Sequence, residues 1–295
     1  KPMGYVMLST DITDIPAYSG KPVVTLIGMD LTGKFVGVKI LKHSEPILLL
    51  GIPESELLKF NDQYIGRMVT DKLEVGKSRP DDDVIGLDAI SGATVTVIAQ
   101  NQVMLTSGAA VARQVGIIAP KVRQPVVYAQ PAAGQAALDW DTLVKQGAVK
   151  KVVVRTDQVG LEKSRDPYIE LWFGALNSPV LGPAILGETS WRNLMGQLKE
   201  GENAIFVIRT AGRESFKGSG FVRGGIYDRI LVHQDGDSFS FRDSDALNLY
   251  GIQAANAPRF TESGIFLIRS NAFSAAYPWT FSFLGNHVDQ AKGTK

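Results

Sequence analysis

Two early runs of the chain are rich in apolar and β-branched residues, which predicts a pair of β-strands. They cover residues 23–29 and 35–41 and are separated by Asp30-Leu31-Thr32-Gly33. A short polar segment that ends in glycine is typical of a tight turn between antiparallel strands. We therefore expect a β-hairpin here.

Apolar residues at spacings of three and four predict two helices in the first half of the chain. The first is short and stops at Gly66. The second starts near residue 94 and ends near Gly116. The expected buried face of this second helix consists of Val95, Ala99, Val103, Thr106 and Ala110. Residues 72–83 are charged and contain Pro80, so we expect a surface loop between the two helices.

The second half of the chain is richer in strand patterns. A short helix is expected at Asp139, and a helical stripe around Trp191 and Leu194 is expected to end at Gly201. Asp235-Gly236 is a strong signal for a hairpin turn. The predicted strands are residues 149–156, 204–210, 226–234, 239–242 and 264–270.

The order of these elements predicts an α+β fold in both halves, because strands and helices cluster and do not alternate regularly. Residues 120–134 contain three prolines and no hydrophobic periodicity, which indicates a linker. At 295 residues the chain suits two domains. We place the first at residues 1–119 and the second, a β-rich α+β domain, at residues 135–295.

Composition narrows the classes of function. The 31 basic and 30 acidic residues give a net charge of +1, which is too balanced to indicate a nucleic-acid partner. The absence of cysteine excludes disulfides, cysteine-ligated zinc and iron–sulfur clusters within this sequence. The three histidines are far apart and show no metal-ligand spacing. No apolar run is long enough for a membrane span.

The segment with the clearest chemistry is Ser91-Gly92-Ala93-Thr94-Val95-Thr96. Small residues allow a tight turn, and a helix is predicted to start directly after it. The free N–H groups and the positive dipole end of a helix start favour a phosphate. The hydroxyls of Ser91, Thr94 and Thr96 could also bond a phosphate covalently. The alternative is an ordinary N-capped helix start with a glycine in its turn.

The complete string resembles the Ser/Thr-Gly-Ala-Thr-x-Thr signature of the FMN-binding domains in the NqrC, RnfG and NosR families. In that signature the last threonine carries FMN through a phosphoester bond. The resemblance implies covalent FMN on Thr96 as the cofactor, held by a loop made of Ser91, Gly92, Ala93, Thr94 and Val95. It also implies the FMN-binding fold of that type for the first domain.

A second segment, Lys42-His43-Ser44-Glu45-Pro46-Ile47, follows the predicted hairpin. The same domains carry a similar loop near the flavin ring, so His43, Glu45, Pro46 and Ile47 are candidate contacts of the isoalloxazine. A histidine there could exchange protons with the flavin. The alternative is that His43 and Glu45 are ordinary solvated residues at the end of a strand.

Further segments are similar to the periplasmic region of the NosR family. They include residues 15–22, 37–40, 51–54 and 216–229, so the resemblance covers most of the chain. It implies a periplasmic protein anchored to the inner membrane, and we expect this chain to be the soluble part. The transmembrane helices and iron–sulfur domains are expected outside it. The implied partners are nitrous oxide reductase and a magnesium-dependent flavin transferase that uses FAD.

Two hypotheses of function follow from this resemblance. In the first, the chain relays electrons through FMN for nitrous oxide reduction and for maturation of nitrous oxide reductase, without being a stand-alone enzyme. In the second, it is a docking or regulatory module for assembly of the copper site in that reductase and transfers no electrons. The second domain, which has no recognisable redox chemistry, favours the docking role for its half of the chain.

Overall fold

The computed structural model describes residues 2–76, 83–119, 126–128, 130–131, 137–218, 221–235, 237–270 and 272–285. Within these residues the α-helices are α1 (Glu54–Asp62), α2 (Thr94–Gln114), α3 (Trp140–Lys145), α4 (Leu181–Leu186) and α5 (Glu188–Gln197). The strands are β1 (Gly4–Leu8), β2 (Val24–Asp30), β3 (Phe35–Lys42), β4 (Lys72–Val75), β5 (Val84–Leu87), β6 (Lys150–Val154), β7 (Ile169–Ala175), β8 (Asn203–Gly212), β9 (Ile226–Gln234), β10 (Asp237–Arg242), β11 (Ala246–Leu247), β12 (Glu262–Ile268) and β13 (Thr280–Phe283). Helices and sheets are both present in each half, so the predicted α+β class is confirmed.

The chain forms two compact units whose sequences interleave. Unit 1 consists of residues 1–124 and 220–244, and unit 2 consists of residues 125–219 and 245–295. The sequence analysis placed a single boundary at 120–134 and assigned 220–244 to the second domain. The difference arises because β9 and β10 pack on α2 of unit 1, a contact between distant segments that local patterns do not reveal. Most of the predicted linker lies outside the described residues.

The first sheet of unit 1 has the order β1-β2-β3 and is antiparallel throughout. The predicted hairpin is confirmed as β2 and β3. Its turn is held by the Asp30 carboxylate, which accepts hydrogen bonds from the amides of Thr32 (2.8 Å) and Lys34 (3.0 Å). Gly33 adopts φ +92°, a conformation that glycine takes without steric cost.

A small parallel sheet follows where only a surface loop was expected. Strand β4 pairs with β5 from Lys72↔Val84 to Val75↔Leu87. The expectation of a loop over residues 72–83 was therefore wrong for 72–75, where Leu73 is buried in the core of unit 1. Charged neighbours on the exposed side of the strand hid this pattern. Residues 77–82 lie outside the described residues.

Helix α2 runs through the core of unit 1 and is buried on most of its surface. Fourteen of its 21 residues are buried. It contacts β2, β4, β9 and β10. The sequence predicted one apolar face that included Thr106, but Thr106 is exposed while Gln100 and Asn101 are buried. The prediction of a single face failed because protein surrounds this helix on several sides and not on one.

The hairpin of β9 and β10 completes the cover of α2. The two strands pair antiparallel, with Asp237 opposite Gln234. Asp235 in the turn has φ +55°, as the predicted Asp-Gly hairpin requires, and Gly236 lies outside the described residues. Near the end of α2 the Arg113 guanidinium donates to both carboxylate oxygens of Asp237.

Unit 2 is built on a five-stranded antiparallel sheet with the order β11-β12-β8-β7-β6. Its core contains Trp140, Leu143, Phe206 and Ile208. The short helix predicted at Asp139 is α3, and the Asp139 carboxylate caps it by accepting from the amide of Thr142 at 2.8 Å. The sequence analysis did not predict β7, α4 or β13.

Among the residues that the structure describes, no helix has both the length and the continuous hydrophobicity needed to cross a membrane.

The contact between Gly108 of α2 and the ring of Phe35 provides a test of the helix packing. A Cβ atom placed on Gly108 would lie 2.6 Å from Cζ of Phe35, a buried ring. We expect Gly108→Ala to destabilise the protein by about 1–3 kcal/mol through overpacking, which exceeds the gain of about 1 kcal/mol in helix propensity. Gly196→Ala in exposed α5, where a Cβ atom meets nothing within 4 Å, is the matched control and should raise stability slightly. Urea unfolding measures both. This packing would be contradicted if both variants changed the free energy of unfolding equally, or if Gly108→Ala raised it while Gly196→Ala lowered it.

Candidate functional site

The turn before α2 leaves the start of the helix without a side-chain cap. Gly92 has φ +81°, and the amide of Ala93 donates to the carbonyl of Ile90 at 3.1 Å. Ala93 occupies the N-cap position and makes no side-chain hydrogen bond. The alternative of an ordinary N-capped start is therefore not what the structure shows. An uncapped helix start keeps its first amides available and presents the positive end of the helix dipole.

Thr96, in the first turn of α2, is hydrogen-bonded to Glu45. Its hydroxyl Oγ1 donates to Oε2 of Glu45, and the two residues are only 2% and 6% exposed. The Glu45 carboxylate also accepts from the amides of Tyr18 (3.1 Å) and Ser19 (2.9 Å). One buried carboxylate thus joins three segments of unit 1. Glu45 is not the solvated residue that one alternative expected.

His43 supports the same loop. Its Nδ1 accepts the amide hydrogen of Glu45 at 3.2 Å, so the proton of the neutral ring is assigned to Nε2. That Nε2 lies 3.6 Å from Oε1 of Glu54. Both ring nitrogens therefore have partners within this chain. These contacts of His43 position Glu45. That His43 contacts the isoalloxazine of the flavin remains a prediction.

An apolar loop lies beside the turn. The buried residues Ile47, Leu57 and Ala93 form one small cluster, with Ile52 packed against it. A Cβ atom placed on Gly92 would lie 3.3 Å from Cδ1 of Ile52, so this loop touches the turn directly. The residues between Ile47 and Gly51 are leucines with 60–89% of their surface exposed. They offer an apolar surface next to the helix start.

The turn is braced by Gln63, which directly follows α1 and which the sequence analysis missed. Its amide group accepts from the backbone N–H of Asp88 (2.7 Å) and donates to the carbonyl of Asp88 (3.2 Å). Both bracing contacts are made with the backbone of Asp88. A glutamine one residue beyond a helix gave no sequence signal for this role.

Below Thr96, one turn further along α2, buried polar side chains hold the helix in place. The side-chain amide of Gln100 donates to Oγ1 of Thr25 (3.1 Å) and to Oδ1 of Asn61 (2.9 Å). The next residue, Asn101, accepts from the Tyr64 hydroxyl at 2.8 Å. Burial raises the pKa of Tyr64 well above its usual value, so this hydroxyl remains a donor over the normal pH range. The run of three consecutive polar residues at positions 100–102, within an otherwise apolar part of the helix, was the signal that could have revealed this network.

The structure thus brings several of the predicted residues together. Thr96 and Glu45 are in contact, and Ala93 and Ile47 share a cluster beside them. Pro46 starts the apolar loop, and its carbonyl accepts from the amide of Leu49 at 3.0 Å. The other predicted positions of the motif differ in exposure: Ser91 and Gly92 are exposed, Thr94 is half-buried and Val95 is buried.

These features fit a phosphorylated flavin. The uncapped helix start suits a phosphate, and the Thr96 hydroxyl suits an ester bond. The exposed leucine loop suits an aromatic ring system, which gains from burial against apolar side chains.

Comparison with known proteins agrees with this assignment. Residues 18–104 match the family model described as FMN-binding domain. The matched range includes Tyr18, Glu45, Gln63 and Thr96. No solved structure matches the chain.

Curated relatives match almost the whole chain. Two proteins named Regulatory protein NosR, from Pseudomonas aeruginosa and Stutzerimonas stutzeri, are 38% and 37% identical to it over 96% of its length. A protein named NirI from Paracoccus denitrificans is 24% identical over 90% of the chain. The chain spans 42%, 41% and 38% of these relatives, or about two fifths of their lengths.

Two glycines test the contact between the turn and the apolar loop. Gly92 and Gly66 have similar positive φ values, +81° and +86°, but only Gly92 has a neighbour, Ile52, where a Cβ atom would be. We expect each Gly→Ala change to cost about 1–2 kcal/mol of backbone strain. Gly92→Ala should cost more, because the Ile52 side chain must also shift. Urea unfolding of both variants gives the difference, and a smaller loss for Gly92→Ala would contradict this contact.

Proposed function

We propose that this chain, which belongs to the NosR family and contains an FMN-binding domain, carries FMN as a phosphoester on Thr96 and relays electrons for nitrous oxide reduction. Membership in this family confirms the resemblance of the Ser91–Thr96 motif. We propose three further points: the covalent bond to FMN, the electron relay and the cellular location of the protein.

The observation that carries the proposal is the Thr96 hydroxyl in the first turn of an uncapped helix, inside the range that matches the FMN-binding domain. The amides of Thr94 and Val95 would bind the phosphate, and the loop that contains Ile47 and Ile52 would hold the ring. Bound FMN supplies a centre that takes up and releases electrons. The protein's own contribution is to fix this centre at one position and to shield one side of it from water.

The proposed location is the periplasm, with attachment to the inner membrane through segments outside this chain. A covalent bond has a physical advantage there, because a cofactor that dissociates outside the cytoplasm is lost. The proposed partners are a magnesium-dependent flavin transferase that loads FMN, iron–sulfur domains of the complete protein that exchange electrons with it, and nitrous oxide reductase as the enzyme served.

Threonine variants test the attachment residue. The chain is co-expressed with a flavin transferase and denatured, and its flavin fluorescence and intact mass are measured. We expect wild type and Thr106→Val to retain flavin and Thr96→Val to retain none, because only Thr96 supplies the ester oxygen. Thr106→Val is the matched control, since it removes an exposed hydroxyl from the same helix, outside the loop proposed to hold FMN. Flavin that stays on the denatured Thr96→Val chain would refute the assignment.

A second function is favoured by the extent of the similarity. The FMN-binding domain accounts for residues 18–104, whereas the similarity to the NosR relatives continues over 96% of the chain. Those relatives are named regulatory proteins. Unit 2 would then be a docking module that assists assembly of the copper site in nitrous oxide reductase, and the flavin would have a sensing role or none.

Cells that carry the full-length protein with Thr96→Val separate the two functions. We measure the copper content and the nitrous oxide reduction of the reductase in the same cells. A relay predicts normal copper content with lost reduction, because only the electron supply fails. A docking module predicts that both are retained. Loss of copper with a folded variant would show that the flavin is needed for assembly, which contradicts the relay as its only role.

A further inference from the structure

We propose that Glu45 is the base that takes the hydroxyl proton of Thr96 when FMN is attached. The chain would then contribute a catalytic residue to its own modification, in addition to the residues of the transferase. This inference rests on the proposed covalent attachment at Thr96.

The contact between the two side chains carries the inference. Thr96 Oγ1 donates its hydrogen to Oε2 of Glu45, which is the arrangement in which a hydroxyl passes its proton to a base. The same carboxylate accepts from two backbone amides, at Tyr18 and Ser19. All three hydrogen bonds are ones that an ionised carboxylate accepts. In this position such a carboxylate can receive the hydroxyl proton.

None of the hydrogen bonds of the described residues joins the other titratable side chains near the motif, His43 and Asp88, to the Thr96 hydroxyl. Nδ1 of His43 accepts from the amide of Glu45, and its Nε2 faces Glu54. Asp88 lies before the motif turn, where its backbone is bonded to Gln63. Among the described residues, the Thr96 hydroxyl donates its hydrogen bond to Glu45.

The transfer of the FMN group to Thr96 involves no change in oxidation state. The donor is a flavin dinucleotide such as FAD, presented by the transferase. A bond forms between Thr96 Oγ1 and the phosphorus next to the flavin, and the pyrophosphate bond of the donor breaks. AMP leaves, and the hydroxyl proton of Thr96 passes to Oε2 of Glu45.

The transfer also removes an electrostatic conflict. A phosphodiester carries a negative charge, and an ionised carboxylate beside it would repel it. Once Glu45 holds the proton it is neutral, and its O–H group can donate a hydrogen bond to the new ester. The proton is thus retained where it stabilises the product.

Access to the hydroxyl requires a local movement, because Thr96 is only 2% exposed. Glu45 is tied to two backbone amides and, through its own amide, to His43. The turn at Ser91 and Gly92 is exposed. We therefore assign the movement to this turn, with Glu45 staying in contact with the hydroxyl.

The test measures the initial rate of FMN incorporation into the purified flavin-free chain, with transferase, FAD and Mg²⁺, as a function of pH. Glu45→Gln keeps one oxygen that can accept from the Thr96 hydroxyl and the Tyr18 amide, loses the acceptor for the Ser19 amide, and is a far weaker base. We expect its rate to fall by about 100-fold or more. We also expect the wild-type rate to decline toward acid pH relative to the variant, because protonated Glu45 cannot act. A Glu45→Gln rate within about 3-fold of wild type, or above it, would overturn the proposal.

Glu56→Gln is the matched control, because it removes a carboxylate of α1 that pairs with Lys59 on the surface. It should load FMN at the wild-type rate. If wild type itself takes up no FMN on Thr96, the proposed function fails; if wild type loads and Glu45→Gln loads equally, only the role of Glu45 fails.

A second measurement does not depend on whether Glu45→Gln folds. Infrared difference spectra of the wild-type chain, before and after loading, should gain the band of a protonated carboxylic acid. Carbon-13 labelling of glutamate should shift that band. The absence of a new carboxylic acid band in the loaded protein would overturn retention of the proton on Glu45.

Discussion

The burial of α2 is the constraint on which the rest of unit 1 depends. A helix with 14 buried residues out of 21 requires hydrogen-bond partners for its polar side chains, since an unsatisfied buried group costs about 1–3 kcal/mol; among the described residues the buried side chains of Gln102 and Ser107 have none. Gln100 meets this requirement through Thr25 and Asn61, and Asn101 through Tyr64. Hydrogen bonds have direction, so these contacts fix the rotation and the height of the helix in a way that apolar packing alone does not. Thr96, one turn before Gln100, is placed by the same contacts.

The helix start gains its chemistry from a missing cap. In unit 2 the start of α3 is capped by a residue next to it, because the Asp139 carboxylate accepts from the amide of Thr142. At α2 the cap position holds Ala93, and the carboxylate comes instead from Glu45 on a distant loop, where it bonds the Thr96 side chain and not the first amides. The amides stay available for an anion, and the hydroxyl has a carboxylate as its hydrogen-bond acceptor. A side chain that capped the helix from residue 93 would occupy one of these amides.

Local physical chemistry explains what the sequence alone could predict. The hairpin at Gly33, the short helix at Asp139 and the limits of α2 depend on residues within a few positions of one another, and all three elements were predicted. The contact between Thr96 and Glu45 spans 51 residues, and no local pattern reports it. Thr106 was misplaced for a related reason: a helix surrounded by protein does not show one apolar face. The motif could be recognised from the sequence, but the carboxylate that accepts the hydrogen bond of its hydroxyl could be identified only from the fold.

The interleaving of the two units bears on how flavin and docking roles can share one chain. Segment 220–244 leaves unit 2 to complete unit 1 and then returns, so residues 1–119 alone lack the β9–β10 hairpin that covers α2. Removing it would expose buried α2 side chains and leave Arg113 without Asp237, whose carboxylate accepts from one guanidinium nitrogen at 2.7 Å. The proposed flavin site is therefore not a detachable module preceding a second domain. A function of unit 2 has to be separated from that of the flavin by point substitutions at Thr96 or Glu45, because a truncation that removes one unit also damages the other.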